Sequence, residues 1–207
     1  MALDRDEVGA RVLEIAEALL EEGGADQLKA RTVASRAGIA LGSIYNLYGD
    51  MDALHVAVNL KLIAGLEQAG MAAIGRLKAA HVTDTRECLL ELARTYLDYV
   101  EAHQKSWMAL VAFPAEKIGA DRQANYFSRL DGLMSIISGV LRLDGSLGLD
   151  AERAKLSAHV LWSSVHGIVT NTRRIGGPGG TDPAWRQIDH LVRVFLTGLR
   201  AEASGAG

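Results

Sequence analysis

Two short helices joined by a tight turn are predicted by the stretch Thr32-Val-Ala-Ser-Arg-Ala-Gly-Ile-Ala-Leu-Gly-Ser-Ile-Tyr-Asn-Leu-Tyr48. Val33, Ala34 and Ala37 lie at positions i, i+1 and i+4, and they are small enough for a second helix to cross closely. Gly38 ends the first helix, since glycine most easily adopts the left-handed conformation that follows a helix. The stretch therefore predicts a helix-turn-helix.

The second helix of this stretch has a core-facing side and an outward side. Ile44 and Tyr48 are four residues apart and are predicted to face the core. Gly42, Ser43 and Asn46 then point outward, and all three are small or polar. A helix that enters a DNA major groove needs such a surface. The pattern therefore favours a DNA-reading element.

The sequence from about Val8 to Val58 resembles the TetR family of one-component bacterial repressors. The matching features are an apolar-periodic first helix and four short motifs, namely Gly23-Gly24, Val33–Ile39, Gly42–Tyr45 and Gly49-Asp50. The chain departs from the family at Leu47 and Tyr48, where His and Phe are frequent, and at Met51, where Lys is usual. The resemblance implies an all-α fold, with a three-helix DNA-binding domain at residues 1–50 and a larger effector-binding and dimerisation domain at residues 51–207.

Ten residues are predicted to lie against DNA. Ser43, Asn46 and Leu41 are expected to meet base edges, and Leu41 suits a thymine methyl group. Phosphate contacts are expected from basic and hydroxyl-bearing residues, namely Lys29, Arg31, Thr32, Arg36 and Tyr45. Gly42 and Tyr48 complete the set, although the simpler interpretation of Gly42 is a helix-start residue.

Charge is unevenly distributed along the chain. The whole chain has a net charge of −3, whereas residues 28–49 contain Lys29, Arg31 and Arg36 and no acidic residue. This segment therefore carries +3 and the remainder −6, which implies that DNA contact is confined to one end of the molecule. Three cations neutralise few phosphates, so tight binding requires two copies.

The apolar spacing beyond residue 50 predicts only helices, for a total of about nine in the chain. The expected boundaries are about 6–22, 51–80, 84–102, 107–113, 121–143, 151–175 and 182 to at least 199, besides the two helices of the DNA-reading stretch. Asp50, Thr83 or Asp84, and Asp150 are placed to cap helix N-termini. A Gly-Gly-Pro-Gly-Gly linker at 176–180 separates the last two helices.

The last two long helices each carry an extended apolar stripe, which in the final helix includes Ile188, Val192 and Leu199. One interpretation is that both helices are internal to a single chain. We favour the other, in which they pair with the same helices of a second copy as a four-helix interface. The resemblance implies this homodimer, and a two-fold operator demands it.

A small-molecule effector site is expected in the larger domain, because the resemblance implies helices that enclose a ligand cavity. Leu161-Trp-Ser-Ser-Val-His-Gly167 resembles the Trp…His-Gly segment of one branch of TetR-like C-terminal domains. The predicted effector-binding residues suit a largely apolar ligand with a polar handle, and they are Trp107, Phe113, Tyr126, Phe127, Trp162 and His166. The alternative, that these residues are ordinary core, stays open.

Other chemistries find little support in the sequence. His159 and His166 are seven residues apart without a further metal ligand nearby, and no phosphate loop or hydrolase motif occurs, so we expect no metal, cofactor or enzyme activity. Cys88 cannot form an intrachain disulfide, and it is either a buried hydrophobe or a reactive thiol. With no signal peptide and no membrane-spanning stretch, the chain is expected in the cytoplasm.

These observations predict a ligand-responsive DNA-binding regulator, most simply a repressor released from a palindromic operator by a small molecule. The alternative is a helical small-molecule binding protein or enzyme without DNA binding, and the lack of acidic residues from Leu28 to Gly49 argues against it. An activator or a ligand-blind regulator has the same sequence features.

Overall fold

The computed structural model describes residues 4–175 and 182–205, and within these ranges it contains nine α-helices and no strand. The helices are α1 (Arg5–Gly23), α2 (Ala30–Ala37), α3 (Leu41–Tyr48), α4 (Met51–Ala79), α5 (Thr85–Ala102), α6 (Gln104–Ala112), α7 (Ala120–Leu143), α8 (Ala151–Ile175) and α9 (Asp182–Gly205). The all-α prediction is confirmed. Among the described helices, none is both long and apolar enough to cross a lipid bilayer.

The helix boundaries agree with those predicted from sequence, except that α6 begins at Gln104 rather than near Trp107. Three short 3-10 turns also occur, at Ala25–Gln27, Ala115–Lys117 and Gly145–Leu147. The linker predicted at 176–180 lies outside the described residues.

Aspartate side chains begin the three helices for which caps were predicted, and at α5 the cap is Asp84 rather than Thr83. The Oδ1 atom of Asp50 accepts a hydrogen bond from the backbone N–H of Ala53 at 2.6 Å. The same contact recurs between Asp84 and Glu87 and between Asp150 and Arg153, each at 2.8 Å. Each bond satisfies one of the N–H groups that a helix start leaves without an intrahelical partner.

The chain divides into two compact units. The first unit comprises Met1–Gly65 and Val100–Arg129, and the second comprises Leu66–Tyr99 and Leu130–Gly207. Residues 100–129 belong to the first unit because α6 packs against α1. The compact units therefore do not divide at residue 50, and the functional division placed there remains a prediction.

The core of the first unit holds the helix-turn-helix in place. Val12 and Leu19 of α1, Val33 of α2, Ile44 of α3 and Val58 of α4 belong to one cluster of buried side chains. Burying a side chain of this size contributes about 1.5 to 3 kcal/mol. The cluster fixes the inner face of α3 and leaves its opposite face in solvent.

In the second unit, α8 packs against α9. Polar contacts connect α5 to α9: the guanidinium of Arg94 lies 3.9 Å from the ring centroid of Trp185. The Arg86 Nη2 donates to Asp189 Oδ1 at 2.5 Å. A cation over an aromatic face and a charge-assisted hydrogen bond both favour this pairing of helices.

Candidate nucleic-acid interface and internal cavity

The turn between α2 and α3 has the geometry predicted at Gly38. Gly38 has φ 65° and ψ 34°, the left-handed conformation that favours glycine. Its N–H donates to the Ser35 carbonyl at 3.3 Å, and the N–H of Ile39 donates to the Ala34 carbonyl at 3.1 Å. These two bonds form a Schellman motif, which satisfies the last carbonyls of α2. The turn therefore fixes the angle at which α3 leaves α2.

The start of α2 is less well held. Lys29 occupies the N-cap position and makes no side-chain capping hydrogen bond. This agrees with the sequence, in which Leu28-Lys29 provides no Ser, Thr, Asp or Asn side chain at that position.

The outer face of α3 is accessible. Leu41 is 39% exposed, Tyr45 is 46% exposed, and Asn46 is also exposed. Ser43 is half-buried and lies with Asn46 in a shallow surface recess. Ile44 on the opposite side is fully buried. The division of α3 into an inner and an outer face, predicted from the sequence, is thus present in the structure.

Arg5 joins this surface, although the sequence did not single it out. Its side chain lines the same recess, and its Nη2 donates to the backbone carbonyl of Asn46 at 3.0 Å. This carbonyl belongs to the last turn of α3, where carbonyls lack intrahelical partners. Arg5 therefore supports the C-terminal end of α3 and adds a cation that a count starting at Leu28 omits.

The predicted phosphate-binding residues differ in exposure and in whether their side chains have partners within the chain. Lys29 and Arg31 are exposed, and neither side chain forms a hydrogen bond or ion pair in the described part of the chain. Thr32 is half-buried. Arg36 instead forms two hydrogen bonds to the carboxylate of Glu22, at 2.6 and 2.7 Å. A bidentate pair occupies the guanidinium fork, so Arg36 connects α2 to α1 in this state.

The Arg36 hydrogen bonds also change the acidity of Glu22, since they hold the pKa of its carboxyl below the ordinary value. The sequence count found no acid between residues 28 and 49, but the partner of Arg36 comes from α1. The local positive charge of the element is therefore smaller than the sequence count of three.

Tyr48 contacts its own chain. Its hydroxyl donates to the Gly9 carbonyl at 2.8 Å, and the half-buried ring has a raised pKa because burial disfavours the phenolate. This contact connects the end of α3 to α1. It matches the core-facing position predicted for Tyr48 and leaves its DNA contact a prediction.

The second unit contains a small apolar cavity. The cavity has a volume of about 60 Å³, and its wall includes Leu66 of α4, Leu133 of α7, and Leu161, Trp162 and Val165 of α8. Its wall contains no acidic, lysine or arginine side chain. A ligand of ordinary size needs roughly 300 Å³ or more, so this is a contracted cavity.

One of the predicted effector residues, Trp162, lines this cavity, and a second, His166, packs against it. Trp162 lines it, and the ring centroid of Trp162 lies 5.7 Å from that of His166 in a stacked arrangement. The His166 Nδ1 is hydrogen-bonded to the hydroxyl of Tyr96 at 2.8 Å. Burial lowers the pKa of His166, so its imidazole is neutral at pH 7. Tyr96, which also lines the cavity, was not predicted as an effector residue.

The other four predicted effector residues belong to the first unit, and none is part of the cavity wall. Trp107 is buried in α6, and the ring centroid of Phe113 lies 4.5 Å from that of His55. Tyr126 and Phe127 are neighbours on α7, with ring centroids 6.2 Å apart. Of the six predicted residues, the structure therefore places only Trp162 in the cavity wall and only His166 in ring contact with it.

The two histidines considered as metal ligands have different neighbours. His166 contacts Tyr96, whereas the Nε2 of His159 lies 3.9 Å from an Asp131 carboxylate oxygen. Within the described ranges, no three His, Cys, Asp or Glu side chains are grouped so that they could hold a metal ion.

The Gly38 turn, the exposed face of α3 and the free cations at the start of α2 define a helix-turn-helix regulator on an all-helical chain. Residues 12–58 match the family described as bacterial regulatory proteins, tetR family, and residues 89–197 match the family described as tetracyclin repressor-like, C-terminal domain. The chain belongs to the TetR family. This is a family of transcriptional regulators, so the enzyme alternative is set aside.

Individual relatives agree with this assignment. The chain is 27% identical over 158 residues to an uncharacterized HTH-type transcriptional regulator of Mycobacterium tuberculosis, and the match covers 76% of this chain and 66% of that protein. Two solved structures share the fold. A TetR-family regulator from Streptomyces coelicolor has a TM-score of 0.65 and 22% identity, covering 93% of this chain and 99% of the other. The TetR-family regulator PfmR from Thermus thermophilus has a TM-score of 0.62 and 18% identity. That match covers 90% of this chain and 97% of the other.

Proposed function

We propose that this protein is a ligand-responsive transcriptional repressor that binds a palindromic DNA operator as a homodimer and leaves it when a small molecule binds. As a regulator of bacterial promoters, it acts in the cytoplasm. The observation that carries the proposal is the exposed outer face of α3, which lies beside the unpaired cations Lys29 and Arg31.

DNA recognition is assigned to α3. Its accessible face offers an amide at Asn46, a hydroxyl at Ser43 and an apolar side chain at Leu41, which are the groups that distinguish base edges in a major groove. Lys29, Arg31 and the newly identified Arg5 supply positive charge for phosphates. Arg36 contributes to phosphate binding only if it exchanges Glu22 for a phosphate oxygen.

Dimerisation is assigned to α8 and α9. Leu156 is 66% exposed and Val160 is also exposed on α8, and Val194 is 50% exposed on α9. Large apolar side chains that remain accessible on two neighbouring helices favour an interface with a second copy. A two-fold dimer places two α3 helices in successive major grooves, about one helical turn apart.

Effector binding is assigned to the second unit, around the Tyr96, Trp162 and His166 cluster. A contracted apolar cavity offers space that a ligand can enlarge, whereas the DNA-reading element has a packed core. A coupling free energy of about 1 to 3 kcal/mol between ligand and DNA would change operator affinity about 5- to 150-fold.

The DNA-binding proposal is tested by fluorescence anisotropy with the DNA upstream of the coding region and with a random duplex. Asn46→Ala should lower the preference for the specific duplex, with about 1 to 3 kcal/mol of discrimination lost. Arg31→Ala should weaken binding to both duplexes and reduce the slope of log affinity against log salt by about 1. Arg142→Ala, at an exposed arginine of α7, is the matched control and should change neither quantity.

The assignment of roles is wrong if Asn46→Ala and Arg31→Ala weaken binding equally on specific and random DNA. Absence of salt-dependent binding to any duplex would contradict DNA recognition as a whole.

The dimer is tested by light scattering, which should give twice the 22.1 kDa mass of one chain. Leu156→Glu should shift the protein toward the monomer, because a charge would be buried in the interface. Met71→Glu is the matched control, since Met71 is 57% exposed on α4, which is neither of the two proposed helices. A dimer that tolerates Leu156→Glu would contradict this choice of interface.

A further inference from the structure

The apolar cavity of the second unit adjoins a groove. The groove is lined by residues of α4, α5 and α7, and these three helices also contribute to the cavity wall. The cavity wall includes Leu66 and Gly70 of α4, and the groove wall begins at Met71 and continues along α4 to Lys78. Both spaces also take residues from α5 and α7. The groove has a volume of about 680 Å³, more than ten times that of the cavity. Cavity and groove are therefore neighbouring spaces along α4, which together we call the trough.

Ile136 of α7 stands at the division. It is the residue that lines both the cavity and the groove. A methyl group placed on Gly70 would lie 3.3 Å from the Ile136 Cδ1 atom, so the isoleucine side chain packs directly against the backbone of α4 at this point. Because this contact is made by a side chain, a rotamer change of Ile136 is the movement that we expect to connect the two spaces.

The trough follows α4 from Leu66 to Lys78. The rise of α4 from Leu66 to Lys78 is roughly 18 Å, at 1.5 Å per residue. Aliphatic side chains form most of its length, including Leu92 and Ile137 in the cavity and Ile74 and Leu77 in the groove. This shape fits an extended chain better than a fused-ring molecule.

The basic residues of the trough line the groove and not the cavity. Lys78 and His81 line the groove there, and neither wall contains an Asp or Glu residue. Lys78 is exposed and forms no ion pair with any described residue. Asp84, the nearest acid along the chain, caps α5 through the Glu87 N–H at 2.8 Å. A molecule that complements the trough has an apolar chain at one end and a negative charge at the other.

We propose that the effector is a long-chain aliphatic carboxylate, whose chain passes Ile136 into the cavity and whose carboxylate lies in the groove beside Lys78. This inference rests on the proposed assignment of the effector site to the second unit, and it specifies the class of ligand. In this arrangement the last carbons of the chain lie in the cavity, whose wall includes Tyr96 and Trp162.

The chain-length dependence is tested by isothermal titration of the 207-residue protein with hexanoate, octanoate, decanoate and dodecanoate below their micelle concentrations. Each methylene group buried should raise affinity about fourfold, so each two-carbon step should raise it about 15-fold. Ile136→Trp should remove this increase by blocking the passage, whereas Ile136→Ala should retain it. The proposal is overturned if affinity is independent of chain length, or if Ile136→Trp titrates like the parent protein.

The position of the carboxylate is tested with Lys78→Met, which removes the charge and keeps an apolar side chain. It should weaken dodecanoate binding about five- to tenfold and leave 1-dodecanol binding unchanged. Lys155→Met, at an exposed lysine of α8, is the matched control and should affect neither ligand. Equal losses for dodecanoate and 1-dodecanol would overturn the assignment of Lys78, and equal affinity for dodecyltrimethylammonium would overturn the negative head group.

Anisotropy with upstream DNA separates this inference from the regulatory proposal. Dodecanoate binding with normal chain-length dependence but without DNA binding would contradict the repressor and support the ligand class. DNA binding without any dodecanoate binding would overturn the ligand class alone.

Discussion

The DNA-reading element of the first unit and the cavity of the second unit are built in opposite ways. The inner face of α3 is fully packed, with Ile44 among buried side chains of α1, α2 and α4. The cavity, in contrast, is bordered by Leu66, Trp162 and Val165 and leaves space unfilled. Unfilled apolar space costs stability, so a protein gains from it only where something else occupies it.

This difference in packing indicates which region can respond to a ligand. A helix that reads base edges must hold its side chains at fixed positions, and close packing provides that. A ligand shifts an equilibrium only through differential affinity for two conformations, which requires space that differs between them. The predictions below test how rigidly the first region is held and how the two regions differ.

The largest effect is expected for Ile44→Ala, which removes the buried side chain that fixes α3. We expect a loss of about 2 to 5 kcal/mol in the free energy of unfolding, because the removed methyl groups leave a void in a packed core. Urea denaturation followed by circular dichroism measures it. Leu41→Ala on the exposed face of the same helix should cost less than about 0.5 kcal/mol. Equal costs would contradict a rigidly packed inner face.

The next effect concerns the turn. Gly38→Ala should destabilise the protein by about 1 to 2 kcal/mol, because Gly38 has a positive φ and a Cβ atom disfavours that conformation. A Cβ at this position has no neighbour within 4 Å, so the cost is in the backbone alone.

Gly42→Ala is the matched control in the same urea experiment. A Cβ there also has no neighbour within 4 Å, but Gly42 is helical, so alanine should stabilise by about 0.5 to 1 kcal/mol. If both substitutions shift stability in the same direction, the left-handed turn is not what holds α2 and α3 together.

A smaller effect is expected from the hydroxyl of Tyr48. Tyr48→Phe should cost about 0.5 to 1.5 kcal/mol, since it removes the 2.8 Å hydrogen bond to Gly9 and keeps the ring. Tyr45→Phe should leave the free energy of unfolding unchanged, because the exposed Tyr45 hydroxyl forms no hydrogen bond to any described residue. A cost shared by both variants would argue against the Tyr48 bond as a support for α3.

The sequence was sufficient for the helices because their signals are local. Asp50 caps α4 by accepting a hydrogen bond from the N–H of Ala53, three residues further along the chain. Gly38 ends α2, the helix directly before it. The inner and outer faces of α3 also follow from spacing within eight residues. Boundaries and faces of this kind depend on residues that are close together in the sequence.

The candidate sites were only partly predictable, because their decisive contacts join distant residues. Arg36 and Glu22 are 14 residues apart, Arg5 and Asn46 are 41 apart, and Tyr96 and His166 are 70 apart. Helical periodicity states which face a side chain occupies and not which partner it meets. This is why Arg5 was missed and why Arg36, which is paired with Glu22, was counted as a free cation.

The smallest effect compares the two regions directly, because each unit contains one histidine whose pKa burial lowers. These are His55 in the first unit and His166 in the second. A lowered pKa means that the unfolded chain binds the proton first, so stability should be full above about pH 6.5 and should decrease as the pH falls below it. His166→Gln should reduce the decrease that belongs to the second unit, and His55→Gln the decrease that belongs to the first. Urea titrations at pH 7.5 and pH 5.5 measure these changes. If both variants keep the full pH dependence of the parent, neither buried imidazole is responsible for it.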